Sequence, residues 1–360
     1  MKAGARDARP SRSERALELL ASPFMGSLLS FLLAIGAATL LIRLAGFDVG
    51  EGYAAMLQGI FGSSRSLADV LARSTPLLFT GLSVAVALRA GLFNVGAEGQ
   101  LLLGAMAAAV VGLLPGLPSW LHIPLALVAA AVTGALWGMV PALLKARFRA
   151  HEVITTIMLN YVVILLTGYL ANYPFHPQGE MLPATAIVAT SAQLPRLLRG
   201  SQLTIGLFLG IGCALALHLL LQRSVLGYEI RAVGLNAEAA EAKGIRRAKA
   251  WLLAMAIAGA MSGLGGAEEV LGVQRRFLEG FSPGYGFDGI AVALMGSANP
   301  LGVILAAQVL GAIRTGALTM DRTTQIPADF VTVIQGLVLV FLSASGLLRL
   351  ILEKRKAATE

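Results

Sequence analysis

Polar side chains inside long apolar runs are the residues of this sequence that could do chemistry. One run reads AGLFNVGAEGQLLLG, and its four glycines surround Asn94, Glu98 and Gln100. Asn160 and Asp288 lie in two further apolar runs. Burying such groups in a membrane is costly unless they meet a partner or a water-filled path, and glycines break a helix and expose its backbone groups. These five residues are therefore predicted to lie along a path for a polar solute.

Each of these residues also has a purely structural interpretation. The glycine-rich run could be a tight turn between two helices, in which Glu98 pairs with Arg89. Asn160 could form a hydrogen bond between helices, which is common in membrane bundles. The short helix that carries Asp288 could be a re-entrant element that only braces the bundle.

Enzyme chemistry finds little support in the sequence. No GxxxxGK[S/T] loop is present, so the chain does not bind ATP by that means. The four histidines are scattered without an HExxH spacing, and no Ser/His/Asp or Cys/His set is readable. The single cysteine, Cys213, lies in an apolar run and supports neither a disulfide framework nor a cysteine metal site. We expect a chain that is not an enzyme and holds no metal or cofactor.

Composition places the chain among all-α polytopic membrane proteins. Of its 360 residues, 56% are hydrophobic and 13% are charged, and the mean hydropathy is +0.76. Apolar runs are too long and charges too few for a soluble domain. The 41 glycines suit close helix packing in lipid. The net charge of +8 is attributed to cytoplasmic loops rather than to nucleic-acid binding.

About ten membrane-spanning segments are expected if each crossing takes roughly 20 residues. An amphipathic stretch at Ala45–Ser66 and a proline-containing loop at Pro174–Ser201 interrupt them. Glu268 and Glu269, near the end of the seventh segment, follow close-packing glycines, and their purely structural interpretation is that they reach the surface. The segments are Phe24–Leu44, Leu67–Leu88, Gly99–Leu114, Leu125–Leu144, Val153–Tyr173, Leu203–Leu221, Trp251–Val270, Phe287–Gly296, Pro300–Leu318 and Phe330–Leu352.

The distribution of basic residues favours both termini in the cytoplasm. Most of the 28 lysines and arginines fall in tails and loops that this layout puts on one side of the membrane. Arg275 and Arg276 cut against the rule. The layout gives a basic N-terminal tail at residues 1–23, one transmembrane domain at residues 24–352 and a C-terminal tail at residues 353–360.

An inverted repeat is expected between segments two to five and segments seven to ten. The two sets are related by an odd shift, which inverts the direction of each crossing. The second segment of each half opens with an acid and a glycine, Glu98-Gly99 and Asp288-Gly289. The glycines around both acids predict broken or re-entrant helices there.

The central segment, residues 223–249, is highly charged and lies between two apolar runs. Asn236 can cap a short helix whose N-terminal end favours the acids that follow. Gly244 can end that helix in a left-handed turn. Ala239 and Ala240 would give the helix a small-residue surface, which suits docking into a groove on another protein. A solvated loop between two membrane helices is the alternative.

The pattern E-A-A, three residues, then G in this segment resembles the coupling loop of ABC-importer permeases, a cytoplasmic helix that sits in a cleft of the ATPase subunit. Its context, LGYEIRAVGLNAEAAEAKGI, resembles the branch that carries ribose, branched-chain amino acids and nucleosides. The downstream Leu-Pro pair of other importers is absent. AGLFNVGAEGQ, HEVITTIMLNYV, FSPGYGFDGIAVALMGSANPLG and GAMSGLGGAEEV resemble the larger permease of nucleoside importers, so the resemblance covers most of the chain.

This resemblance implies the permease subunit of an ATP-binding cassette importer for a small polar solute, with nucleosides expected first. It implies an ATPase that holds Mg-ATP, a second and paralogous permease, and an external substrate-binding lipoprotein, at the bacterial cytoplasmic (inner) membrane. A ribose-type sugar permease, a non-transporting scaffold, and an ion-coupled carrier in which Glu98 and Asp288 hold protons or sodium are the alternatives. The residues implied to couple to the ATPase are Asn236, Glu238, Ala239, Ala240 and Gly244.

Overall fold

The computed structural model describes residues 23–324 together with Ile326, Pro327, Phe330, Val333 and Gly336. Helices are the only extended regular elements in this part of the chain, where the β-structure amounts to two isolated bridges. A 3₁₀ turn lies at Thr190–Ala192 and a π-helical turn at Glu269–Gln274. The α-helices are α1 (Pro23–Leu44), α2 (Val49–Phe61), α3 (Ser64–Arg89), α4 (Ala97–Gly112), α5 (Ser119–Phe148), α6 (Glu152–Asn172), α7 (Gly206–Arg223), α8 (Val225–Leu235), α9 (Ala237–Ala242), α10 (Arg247–Glu268), α11 (Tyr285–Met295) and α12 (Pro300–Thr323).

The chain divides into two compact units. One comprises Met1–Tyr53 and Thr323–Glu360, and the other comprises Ala54–Arg322. In the described residues of the first unit, the hydroxyls of Thr39 and Tyr53 are hydrogen-bonded at 2.6 Å. The second unit holds the polar residues singled out in the sequence.

Six helices in the described residues are long and apolar enough to cross a membrane: Ser64–Arg89, Ser119–Phe148, Glu152–Asn172, Gly206–Arg223, Arg247–Gln274 and Pro300–Thr323. Three shorter apolar stretches, Ile35–Leu44, Ala97–Gly112 and Tyr285–Met295, accompany them.

Each of the first nine predicted segments overlaps one of the described helices. The third and eighth segments are the short helices α4 and α11, and neither has the length of a full crossing. The tenth, Phe330–Leu352, lies outside the described residues except for three positions. The predicted amphipathic stretch contains α2.

Helix α10 occupies the core of the second unit, where glycines let its backbone touch its neighbours. A Cβ atom on Gly259 would lie 2.7 Å from the carbonyl carbon of Gly134 in α5. A Cβ atom on Gly104 of α4 would meet the backbone of Gly263 in α10, with 2.7 Å to its carbonyl oxygen. In lipid, no hydrophobic force drives helices together, because the lipid tails are as apolar as the side chains. Dispersion contacts between closely packed backbones hold such helices together instead. The many glycines of the sequence therefore build a tight centre around α10.

The predicted loop at Pro174–Ser201 has a packed middle part, residues 184–194, which we call the packed cover, between stretches that are exposed. Backbone N–H groups of Thr185, Val188 and Leu194 donate to the carbonyls of Phe277, Arg275 and Leu271 at 2.9, 2.8 and 3.0 Å. This segment therefore satisfies its backbone groups against the stretch that follows α10, although it contains little regular structure.

Candidate functional site

The two short helices α4 and α11 begin side by side in the core. The Glu98 carboxylate, in the first turn of α4, accepts a hydrogen bond of 2.6 Å from the backbone N–H of Gly286 in α11. A side chain at position 286 would collide with the backbone of Ala97 and Glu98, since its Cβ atom would lie 2.7 Å from the Ala97 carbonyl carbon. A carboxylate at a helix N-terminus is favoured by the helix dipole, and Glu98 lies at two such ends. Glu98 thus holds the two helix starts together.

Asp288, one turn into α11, forms an ion pair with Arg314 of α12. The side chains of Arg314 and Asp288 are 15% and 17% exposed, so water screens the pair only in part. The Arg314 guanidinium also lies 5.1 Å from the centre of the Tyr285 ring, a cation–π distance. The Tyr285 carbonyl in turn accepts a hydrogen bond of 2.9 Å from the hydroxyl of Thr80 in α3. These contacts fix α11 against α3 and α12.

Glu268 and Glu269 are buried, so the interpretation that they reach the surface is wrong. They are 1% and 3% exposed and lie where α10 passes into the π-helical turn. One oxygen of Glu268 accepts a hydrogen bond of 2.7 Å from the Thr204 hydroxyl, and the other has no partner among the described residues. The glycines before them let α10 pack deep in the core and carry both acids inward.

Glu269 connects this junction to α11. Its carboxylate interacts with the side chains of Tyr285 and Gln274, and the positive charges of Arg73 and Arg314 lie beside it. Together with Glu98, Asp288 and Glu268, these residues form a polar cluster between α3, α4, α10, α11 and α12. We call this set (Arg73, Glu98, Glu268, Glu269, Tyr285, Asp288 and Arg314) the acid–arginine cluster.

The side-chain amides of Asn94 and Gln100 are hydrogen-bonded to each other. Each amide donates to the other's oxygen, at 2.9 and 3.1 Å, and Asn94 also donates to the hydroxyl of Ser83 at 3.1 Å. Both side chains are buried. In this conformation the two residues therefore fix the turn that enters α4, and their amides are not presented to a solute.

Asn160 of α6 binds the same turn. Its side-chain oxygen accepts from the backbone N–H of Gly99 at 2.9 Å, and its amide donates to the carbonyl of Val95 at 3.0 Å. This is a hydrogen bond between elements of the kind that the structural interpretation of Asn160 describes. All three amide residues thus surround the start of α4.

The pairing of Glu98 with Arg89, one of the structural alternatives, does not form. Arg89 instead donates to the carbonyl oxygens of Ala298 at 2.8 Å and Ser297 at 3.4 Å, in the turn between α11 and α12. Glu98 binds the start of α11, and Arg89 binds the turn at its end, so the two side chains do not pair with each other.

The central segment contains two short helices, α8 and α9, of which the sequence predicts only α9. Asn236 ends α8 and caps α9, with its side-chain oxygen accepting from the backbone N–H of Ala239 at 2.9 Å. Gly244 follows with φ +86°, so the left-handed turn is confirmed. The sequence did not indicate the preceding helix α8.

The faces of α9 differ from the expected small-residue surface. Glu238, Ala239 and Gly244 are exposed, whereas Ala240 is buried against Val233 and Ala250. Ala240 therefore seats the helix on the bundle. Leu235, which is not among the predicted docking residues, is 89% exposed and lies directly before the cap residue Asn236. The signal in the sequence that could have identified Leu235 is its position as an apolar residue directly before a helix cap.

The described residues form a helical bundle with six candidate membrane spans, in which two short helices begin in the core and an exposed capped helix lies between two candidate spans. Residues 66–343 match the family model described as branched-chain amino acid transport system / permease component. The chain belongs to this family and is the permease subunit of an ABC transporter rather than an enzyme. Permeases of this kind work with an ATPase and a substrate-binding protein.

Three relatives resemble the chain over most of its length. The guanosine ABC transporter permease protein NupP of Bacillus subtilis is 37% identical over 335 residues, which cover 91% of this chain and 95% of that protein. The glucose ABC transporter permease protein TsgB13 of Haloferax volcanii is 35% identical, over 87% of this chain and 84% of its own length. The nucleoside ABC transporter permease protein NupB of Lactococcus lactis is 34% identical, with coverage of 87% and 88%.

Proposed function

We propose that this chain passes nucleosides through the bacterial cytoplasmic membrane. The observation that carries the proposal is the 37% identity to a guanosine permease, which spans nearly the full length of both chains. A sugar is the second candidate solute, because a glucose permease is 35% identical over a similar length. A neutral nucleoside offers hydroxyls and a polar base, so its path needs hydrogen-bonding groups that bind weakly enough to release it.

The proposed path runs where α4 and α11 begin. The contact between Glu98 and the N-terminus of α11, and the ion pair of Asp288, support a role for these acids in holding the two short helices. Asn94, Gln100 and Asn160 surround the start of α4, and their amides would face the solute once α4 and α11 move apart. Discontinuous helices that meet at a binding site are a recurring feature of transporters.

The proposed arrangement in the membrane has ten crossings and both termini in the cytoplasm. Residues 1–23 and 353–360 form the tails, and residues 24–352 form one transmembrane domain. The proposed inverted repeat relates segments two to five to segments seven to ten. It is supported by the meeting of α4 and α11, each of which carries an acid followed by glycine in its first turn.

The proposed partners assemble around α9 and the opposite end of the bundle. Mg-ATP binds to a separate ATPase chain, which receives α9 through Asn236, Glu238, Ala239 and Gly244, with Leu235 adding an apolar contact. Ala240 supports this surface from within. A paralogous permease completes the pair, and a lipoprotein delivers the solute from outside. ATP binding moves α9, and differential contact with the two nucleotide states of the ATPase supplies the free energy for switching.

Uptake by proteoliposomes that contain the permease pair, the ATPase and the solute-loaded lipoprotein tests this function. Guanosine uptake should require ATP and should persist when ionophores collapse proton and sodium gradients. Excess unlabelled nucleoside should compete, and excess glucose or ribose should not. Competition by sugars alone would assign the second candidate. Uptake by this chain alone, driven by an ion gradient, would contradict the importer and favour an ion-coupled carrier.

Accessibility of three positions tests the proposed path. We expect Asn94→Cys, Gln100→Cys and Asn160→Cys, each in a Cys213→Ser background, to react with a water-soluble thiol reagent in only one nucleotide state of the complex. The reason is that all three side chains are buried and hydrogen-bonded in this conformation. Leu82→Cys in the core of α3 is the control and should stay unlabelled. Absence of labelling in every nucleotide state would make the three residues packing residues.

A further inference from the structure

The end of α8 is pressed against the turn that follows α3. A Cβ atom on Gly234 would overlap the carbonyl oxygen of Arg89, and it would lie 2.8 Å from the Arg89 carbonyl carbon and 3.0 Å from the nitrogen of Gly91. The fit is reciprocal, because a Cβ atom on Gly91 would lie 3.2 Å from the Cα atom of Gly234. The backbones of the two segments are therefore in direct contact, with no side chain between them.

Helix α9 is joined to α8 by a shared cap residue and by buried packing. Asn236 is both the last cap of α8 and the first cap of α9. Ala240 of α9 packs against Val233 of α8 and Ala250 of α10 in one buried apolar group. A displacement of α9 is accordingly carried to Gly234 over a distance of only a few residues.

The side chain of Arg89 connects the end of α3 to the turn between α11 and α12. It donates to the carbonyl oxygens of Ala298 and Ser297, in the turn that ends α11. Ser297 and Ala298 have φ of +54° and +49°, a left-handed conformation that is uncommon for residues other than glycine. The guanidinium binds this turn through the carbonyl oxygens of these two residues.

The opposite end of α11 is the site at which Glu98 and Asp288 meet the core. Gly286 there contacts Glu98, and Asp288 binds Arg314. Because α11 has only 11 residues, a shift at its end in Ser297–Ala298 reaches its start as a rigid-body movement. A continuous chain of contacts thus runs from α9 through Gly234, Arg89 and α11 to the acid–arginine cluster.

We propose that Arg89 and Gly234 transmit the movement of the docking helix α9 to α11, and so set the opening of the solute path. Both are positioning residues that contact neither ATP nor solute. The Gly234–Arg89 backbone contact carries the push from α8, and the Arg89 guanidinium passes it to the α11–α12 turn. This inference rests on the proposed function, and it adds the residues through which the ATPase and the path communicate.

The test measures solute uptake and ATP hydrolysis by the complete importer in proteoliposomes and compares their ratio. Alanine normally stabilises a helix relative to glycine, so any loss in Gly234→Ala reports the lost backbone contact. We expect Gly234→Ala to retain assembly and basal ATPase activity but to lower the solute moved per ATP about tenfold, as overpacking of this contact predicts. Gly212→Ala in α7 is the matched control, because nothing lies within 4 Å of its Cβ position.

Arg89→Gln tests the second contact without adding any bulk. It should lower the same ratio, because glutamine has no guanidinium to bridge the carbonyls of Ser297 and Ala298. This variant also decides the question if Gly234→Ala fails to assemble. A wild-type ratio in Arg89→Gln, or equal losses of uptake and ATPase activity in the assembled variants, would overturn the proposal. Absence of nucleoside uptake by the unaltered importer would instead refute the proposed solute and leave the transmission test valid with the solute that is transported.

Discussion

Replacing Arg314 with glutamine is expected to lower the stability of the folded permease by about 3 kcal/mol, the lower end of the loss caused by removing one partner of a buried ion pair, because this pair is only partly buried. Arg314 pairs with Asp288, lies over the Tyr285 ring and places positive charge beside Glu269. Glutamine keeps much of the side-chain volume but removes the charge. Asp288 and Glu269 would then share a poorly solvated region with less positive charge.

Thermal unfolding of the purified permease in detergent measures this effect. Arg276→Gln is the matched control, because Arg276 also forms an ion pair, with Glu180 at 2.7 Å, but on a more exposed surface. Exposed pairs contribute only about 0–1 kcal/mol, so the control should unfold close to the unaltered chain. The double variant Asp288→Asn with Arg314→Gln should recover part of the loss. Equal unfolding temperatures for Arg314→Gln and Arg276→Gln would refute the structural importance of the cluster.

Gly244→Asp is expected to reduce solute uptake and receptor-stimulated ATP hydrolysis about tenfold or more, corresponding to a loss of about 1.4 kcal/mol in docking free energy. Gly244 is exposed with φ +86° and has nothing within 4 Å of its Cβ position, so the substitution creates no clash within the chain. The expected loss comes from a charged side chain inserted between α9 and its groove on the ATPase. Membrane insertion should be unaffected.

Two controls separate docking from backbone strain. Aspartate and asparagine both tolerate a left-handed conformation better than most residues, so Gly244→Asn tests the added bulk without the charge. Gly179→Asp places the same charge at φ +83°, also with nothing within 4 Å, in a loop far from α9 in the sequence. Uptake should be intact in Gly179→Asp and intermediate in Gly244→Asn. Normal transport by Gly244→Asp would show that this turn does not dock.

Local sequence determined the features that were predicted successfully. Apolar runs located nine apolar helices, six of which are long enough to cross a membrane, because the position and length of such runs can be read directly from the sequence. The cap at Asn236 and the left-handed turn at Gly244 depend on a few neighbouring residues, so they too could be predicted. The weak similarity between Glu98-Gly99 and Asp288-Gly289 pointed to two short helices that do begin with these acids.

Tertiary packing determined the features that could not be predicted. The partner of Glu98 is Gly286, which is remote in sequence, so its contact with α11 has no local signal. The burial of Glu268 and Glu269 depends on how α10 packs against α3 and α4, and an adjacent pair of acids ordinarily indicates a surface. Ala240 faces inward because Val233 and Ala250 form a site for it. Helix α9 has only six residues, which are too few for helical periodicity to predict which of its faces is buried.

The packed cover between α6 and α7 has a consequence for association with a soluble partner. Its backbone is already hydrogen-bonded to the stretch after α10, through Thr185, Val188 and Leu194. A segment that becomes ordered only when it binds loses conformational entropy, and this loss lowers the affinity for a given interface area. The hydrogen-bonded part of this segment is already ordered, so binding there avoids most of that cost. A soluble partner that bound this segment would meet a backbone that is already ordered, so more of the interaction free energy would appear as affinity.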